Sequence, residues 1–185
     1  MLLQGSAKQM RFLADFRGDS RVRRNFLIFV VSHMSYRFLG RFLLSSQLRV
    51  WAFRFLGARV GSGVTIRNRV KVHNFRNLVI GDDCWIGEEV WFINHEKVTI
   101  GSDVCISQRS IICSGGHDYR SASLEYAHKP VTIKDGAWVC LDAKVLPGVT
   151  IGECSVVSAG EIARRSLPDY SMLVGGQVRT IDPPK

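Results

Sequence analysis

The chain has 185 residues, 46% of them apolar and 22% charged, and carries a formal net charge of +9 at pH 7. This length and composition suit one compact domain with an appendage and argue against long-range disorder. The first strongly apolar run, Phe26–Val31, is six residues long, far short of the roughly 20 needed to span a bilayer. It also starts late and lacks a cleavage pattern, so no signal peptide is expected.

The charge is concentrated at the N-terminus. Residues 1–60 hold eleven Lys/Arg against Asp15 and Asp19, a surplus that accounts for the whole +9 and leaves the remaining 125 residues neutral. A basic segment of this kind attracts anionic membrane surfaces, nucleic acid or phosphorylated ligands. No nucleic-acid reading motif accompanies it, so nucleic acid is not an expected partner. Within it Phe26, Leu27, Val30 and Val31, then Phe38, Leu39, Phe42 and Leu43, then Trp51 and Phe55 recur at helical spacing, with Arg37, Arg41 and Arg49 between them. The spacing predicts two helices over residues 20–56, joined at Gly57 to the remainder of the chain. Capping an exposed end of the unit after Gly57 is their favoured role, with peripheral membrane contact as a secondary one.

From Val60 onward the sequence repeats in sixes. An aliphatic or aromatic residue opens each block, often before glycine: Val60-Gly61, Ile66, Ile80-Gly81, Ile86-Gly87, Phe92, Ile100-Gly101, Ile106 and Ile112, then Ile133, Val139, Val145, Ile151-Gly152 and Val157. The fifth place is small or β-branched, as at Cys84, Val104, Ser110, Ala137, Ala143 and Ser155. A helix cannot sustain this period, because its members would march around the surface instead of sharing a face. One short strand per block can, if the chain coils into a prism that takes every block's first residue inside. The pattern is the hexapeptide signature of an all-β, left-handed parallel β-helix with three hexads per coil. Coil starts at Val60, Ile80 and Ile100 are 20 apart. Two extra residues per coil are therefore expected at a corner near Leu78-Val79 and Val98-Thr99. The wider gap from Ile100 to Ile133 implies an excursion loop over residues 118–129. The expected division is a basic helical segment 1–56, a β-helix 57–163 and a C-terminal tail 164–185.

Five cysteines (Cys84, Cys105, Cys113, Cys140, Cys154) form no CxxC pair. They read as reduced thiols packing as small apolar residues in a cytoplasmic protein. The excursion comes after Ser114-Gly115-Gly116-His117-Asp118. A histidine at the end of a hexad, where a loop leaves a firm coil, suits a general base, since an imidazole titrates near neutrality and the loop gives a substrate access.

The stretches FLGARVGSGVTIR (55–67), VTIGSDVCISQRS (98–110), CSGGHDY (113–119), AWV (137–139), LPGVTIG (146–152) and SMLVGGQVRTI (171–181) resemble the hexapeptide-repeat O-acetyltransferases of sugar metabolism, and among them the colanic acid biosynthesis acetyltransferases. The resemblance implies a homotrimer with an active site between neighbouring prisms, acetyl-CoA as acyl donor and no metal. It implies a hydroxyl of a sugar or polysaccharide precursor as acceptor, and direct transfer with His117 as base. Asp118 either orients the imidazole or caps the loop. Trp138 matches a tryptophan beside the pantetheine arm, and Ala159 and Gly160 match small residues against the coenzyme. Arg179 matches a phosphate contact, and Arg164 and Arg165 stand where simple charge attraction would add others. Leu141 departs from relatives that carry a hydroxyl side chain there, which leaves any oxyanion stabilisation to backbone N–H groups.

Two rival readings remain. His73, His95 and His117 are evenly 22 apart, which invites a zinc-dependent hydratase on the same prism. Their offsets from the coil starts drift, however, whereas zinc needs its imidazoles within about 2.1 Å. The other rival is a non-catalytic module that docks to a membrane or partner. Localisation is expected to be cytoplasmic, with peripheral contact at the inner face of the membrane as an extension.

Overall fold

The structure is a computed structural model that describes residues 45–182. The first of the helices expected over 20–56 lies outside the described residues. The segment that is described opens with α1 (Ser46–Phe55), where the Ser45 side chain accepts a hydrogen bond from the Leu48 N–H as N-cap.

After α1 the chain coils as a parallel β-solenoid, each coil contributing one short strand to each of three faces. The first face stacks β1 (Arg59–Val60), β4 (Leu78–Ile80), β7 (Val98–Ile100), β10 (Val131–Ile133) and β13 (Thr150–Ile151). The second stacks β2 (Thr65–Ile66), β5 (Trp85–Ile86), β8 (Cys105–Ile106), β11 (Trp138–Val139), β14 (Val156–Val157) and β16 (Ser171–Val174), with β17 (Gln177–Thr180) added antiparallel at its end. The third stacks β3 (Lys71–Val72), β6 (Trp91–Ile93), β9 (Ile111–Cys113), β12 (Lys144–Val145) and β15 (Ile162–Ala163). This is the left-handed β-helix that the six-residue period demands.

Register keeps to the hexads. Ile80 pairs with Ile100 and Ile100 with Ile133 on the first face, Ile86 with Ile106 and Ile106 with Val139 on the second, Phe92 with Ile112 and Ile112 with Val145 on the third. Each of these side chains is buried, so every rung adds three apolar residues to one continuous core. The fifth-place residues Cys84, Val104, Ala137 and Ser155 are buried at a corner. There the Ser155 hydroxyl donates to Pro168 O at 2.6 Å, so the buried polar group is satisfied. Coils approach so closely at Gly81 that a Cβ would lie 2.6 Å from the Gly101 backbone.

The extra residues of the first two coils fall slightly earlier than the repeat suggested. They occupy 73–77, with a 3-10 turn at Phe75–Asn77, and 94–97, because Leu78-Val79 and Val98-Thr99 are already paired in β4 and β7. Buried Asn94 pins the two turns together: its Oδ1 accepts from Asn74 N–H and its Nδ2 donates to Asn74 O at 2.6 Å.

Helix α1 packs on β1 and β2 and inserts Val50 and Phe53 into the core, closing one end of the prism. Its Arg54 guanidinium donates to Val60 O and Gly61 O, exposed acceptors of the first coil. The apolar stripe that defined the helix in the sequence points elsewhere. Leu48, Trp51 and Phe55 face outward, and the Trp51 and Phe55 rings stack at 5.4 Å. At the other end Gly175 and Gly176, both with positive φ, form the two-residue turn between β16 and β17.

Candidate active site

The segment between β9 and β10 leaves the edge where the third face meets the first, and it is itself a hairpin. Asp118 N–H donates to Glu125 O, Ala127 N–H to Gly116 O and Lys129 N–H to Ser114 O, and His117 bridges Tyr126 in antiparallel sense. The excursion is therefore ruled by backbone pairing from the prism out to its tip. The His117 ring is exposed on this hairpin.

Its Nδ1 lies 2.6 Å from the carbonyl oxygen of Leu124. A carbonyl only accepts, so Nδ1 carries the proton, and in the neutral ring Nε2 keeps a lone pair. This is the tautomer a general base requires. The Asp118 carboxylate accepts from Arg120 N–H at 2.9 Å, which closes the turn at the start of the loop. Of the two roles considered for Asp118, capping the loop is the one its contact serves.

His117 ends a row of rings. Tyr126 lies 5.0 Å from it, His128 is 4.9 Å from Tyr126, His95 is 4.8 Å from His128 and His73 is 4.0 Å from His95. Burial, with His73 next in weight, pushes the His95 imidazole down to about 4. Burial and then His117 lower His128 as well, against an opposing pull from Glu96. The evenly spaced histidines thus do not meet at one point. His73 and His95 touch, while His117 stands at the far end of the row beyond His128 and Tyr126. Among the described residues no group of three or more His, Cys, Asp or Glu side chains can hold a metal ion.

The residues matched to the coenzyme lie elsewhere. Trp138 is on the outer side of the second face, 47% exposed, and its Nε1–H donates to Ser107 Oγ at 2.9 Å. Ala159 and Gly160 form the next corner, where the second face turns into the third, and Gly160 (φ 74°) has no neighbour where a Cβ would stand. Gly160 N–H donates to Leu141 O, Asp142 N–H to Gln108 O and Arg109 N–H to Glu88 O, so these corners stack as a ladder. Arg69–Glu89 (2.9 Å) and Arg109–Asp142 (2.6 Å) are exposed ion pairs along it. A shallow depression of about 350 Å³ opens there, lined by Arg69, Glu88, Glu89, Gln108, Arg109 and Leu141. Arg164 and Arg165 come directly after β15 and are exposed on the edge that also carries the His117 hairpin. Arg179 sits on β17 opposite Met172.

One chain therefore brings Trp138, Ala159, Gly160 and Leu141 to one side of the prism and His117, Arg164 and Arg165 to another edge. Sequence reasoning missed Tyr126 and His128. Neither belongs to the hexad pattern. The signal that marks them is the hairpin pairing that sets residues 125–129 opposite 114–118.

A solenoid of hexads with a histidine-bearing hairpin on one edge defines a class, and relatives in sequence give it a name. In sequence the chain is similar to hexapeptide-repeat acetyltransferases. It is 38% identical over 120 residues to the protein named "putative colanic acid biosynthesis acetyltransferase WcaF" of Escherichia coli K12, a match spanning 65% of this chain and 66% of that protein's own length. Two solved structures share the fold. The maltose O-acetyltransferase of Clostridium difficile 630 superposes with a TM-score of 0.78 at 22% identity, covering 86% of this chain and 89% of that one. The hexapeptide-repeat-containing acetyltransferase of Vibrio cholerae O1 biovar eltor, complexed with acetyl-coenzyme A, superposes at 0.76 and 22% identity, covering 88% of each. No family model matches the chain.

Proposed function

We propose that the protein transfers an acetyl group from acetyl-CoA to a hydroxyl of a sugar or polysaccharide precursor, with His117 as general base. The observation that carries this reading is the bond from His117 Nδ1 to Leu124 O, which leaves Nε2 as the free base. As the acceptor oxygen attacks the thioester carbonyl, Nε2 takes the hydroxyl proton. The C–O bond forms, the C–S bond then breaks, and the proton passes to the departing sulfur. No cysteine need act as nucleophile. Leu141 offers no hydroxyl, so backbone N–H groups are left to meet the oxyanion.

Acetyl-CoA as donor is supported by the Vibrio cholerae relative, which holds it, and a saccharide acceptor by the names of the maltose and colanic acid acetyltransferases. The site is shared between copies in a homotrimer. His117 on the third–first edge of one prism faces Trp138, Ala159 and Gly160 of the next, which explains why a single chain keeps them apart. Arg164 and Arg179 serve the coenzyme phosphates, as cations that suit such groups. The β-helix of residues 57–163 is the catalytic body, and the C-terminal tail that follows it supplies Arg164 and Arg179. Residues 1–56 cap the prism and, as a secondary role, contact the cytoplasmic face of a membrane peripherally. The outward Leu48, Trp51 and Phe55 of α1 and the +9 surplus of residues 1–60 support this contact.

The test is thiol release from acetyl-CoA against nucleotide sugars, lipid-linked sugars and oligosaccharides, with mass spectrometry of the products. One acceptor class gaining a single acetyl ester is expected. Thiol release in no arm, with no acetyl-CoA bound in calorimetry, contradicts the reading.

A further inference from the structure

Of the five rings in this row, only His117 takes part in the proposed reaction. His128 lies in the middle of the row, nearly parallel to His95 (13°) on one side and beside Tyr126 on the other. Its Nδ1 lies 3.2 Å from the Gly116 nitrogen and accepts that N–H. Gly116 immediately precedes His117, and its carbonyl already takes the Ala127 N–H. Gly116 is thus held at both its carbonyl and its N–H, once by backbone and once by an imidazole. Beside it, Gly115 has no room for a side chain, because a Cβ there would collide with the His95 ring.

The two histidines of the hairpin are fixed in opposite tautomers. Leu124 O keeps the proton on Nδ1 of His117, whereas the Gly116 N–H requires Nδ1 of His128 to be bare. We propose that His128 is a positioning residue for His117, its unprotonated Nδ1 closing the hairpin at Gly116 and so setting where Nε2 of His117 stands. This inference rests on the reading of His117 as the base. The arrangement is sensitive to protonation, since a charged His128 carries a hydrogen on Nδ1 and faces the Gly116 N–H donor to donor. The groups around it are the His95 and His117 imidazoles, the Tyr126 phenol and the Glu96 carboxylate. Burial and His117 favour the neutral ring, and Glu96 opposes them. Neutral His128 is the form that holds the hairpin, so acid below the ordinary imidazole range releases it.

The experiment compares His128→Asn, His128→Gln and His128→Leu by steady-state acetyl transfer, and follows the Gly116 amide by ¹H–¹⁵N NMR between pH 8 and 4. Asparagine puts an acceptor near the Nδ1 position, and glutamine puts one near Nε2. The expected result is that Asn stays within about threefold of the parent in kcat while Gln and Leu lose about tenfold or more at unchanged acetyl-CoA KM, as a misplaced base demands. In the parent the Gly116 amide resonance shifts as pH falls and its protection, relative to the intrinsic exchange rate at each pH, decreases, and in the Asn variant both changes disappear. Should the Leu variant fail to fold, the Asn–Gln contrast decides. Equal kcat for Asn and Gln, or a Gly116 amide indifferent to pH and to substitution, overturns the proposal. An active His117→Ala variant removes the base reading alone, because the amide measurement makes no use of turnover.

Discussion

His117 and Leu124 are joined across the tip of the hairpin by a hydrogen bond of 2.6 Å, from imidazole Nδ1 to carbonyl oxygen. A backbone carbonyl fixes the tautomer here, the task a carboxylate performs in a Ser-His-Asp triad. The difference has consequences for Asp118, whose side chain instead accepts from Arg120 N–H.

Asp118→Asn preserves that acceptor and is expected to keep kcat/KM within about threefold, because the Asx-type turn survives. Loss of a carboxylate that oriented the base would cost about 10⁴-fold. Steady-state rates for Asp118→Asn therefore separate a loop cap from a triad-like partner.

Trp138 donates from Nε1 to Ser107 Oγ while leaving its ring open on the second face. Trp138→Ala is expected to raise the acetyl-CoA KM by about tenfold through loss of an aromatic contact, with the smaller loss in kcat. Ser107→Ala frees the indole and is expected to raise KM by less. Titration calorimetry with coenzyme A reads both effects without an acceptor.

Gly115→Ala places a methyl group against the His95 ring and is expected to cost about 1–3 kcal/mol of stability, the usual range for overpacking. In a His95→Ala background the same substitution should cost much less, since the colliding ring is gone. Urea midpoints for the four proteins of this cycle test it.

Stability should fall in acid for a reason that can be located. His95 is held at about 4 and His128 is also lowered, against an ordinary imidazole value of 6.5. Above that value both rings are neutral in folded and unfolded chains alike, and they contribute no pH dependence. As pH drops from 6.5 toward 4 the unfolded chain takes up protons that the native rings refuse, so unfolding is favoured progressively. His95→Gln is expected to flatten the dependence of Tm on pH over that window, whereas a slope unchanged from the parent would place its origin elsewhere.

The prism was legible in the sequence because its rule is local and repeated. Ile86, Ile106 and Val139 sit one coil apart in the chain and one rung apart in space. The placement of His117 was legible for the same reason, as the point where that rule is suspended. The ring row was not, because His128 and Tyr126 meet His117 across a hairpin whose pairing obeys no period. Trp51 and Phe55 misled in a different way. Helical spacing identified α1 correctly, but spacing reports only that residues share a face. Here Val50 and Phe53 took the core and the more regular stripe was left outside. The separation of Trp138 and Gly160 from His117 was legible too, because the count of hexads assigns each block to one face of the coil.

Comparing acetyl transfer by the parent and by His117→Ala, with coenzyme A binding measured alongside, tests most directly whether Nε2 of His117 removes the acceptor's proton. The expected result is a fall of about 10²–10⁴-fold in kcat, the range for losing a general base, with coenzyme A affinity retained. An alanine variant that transfers acetyl groups as fast as the parent would contradict it.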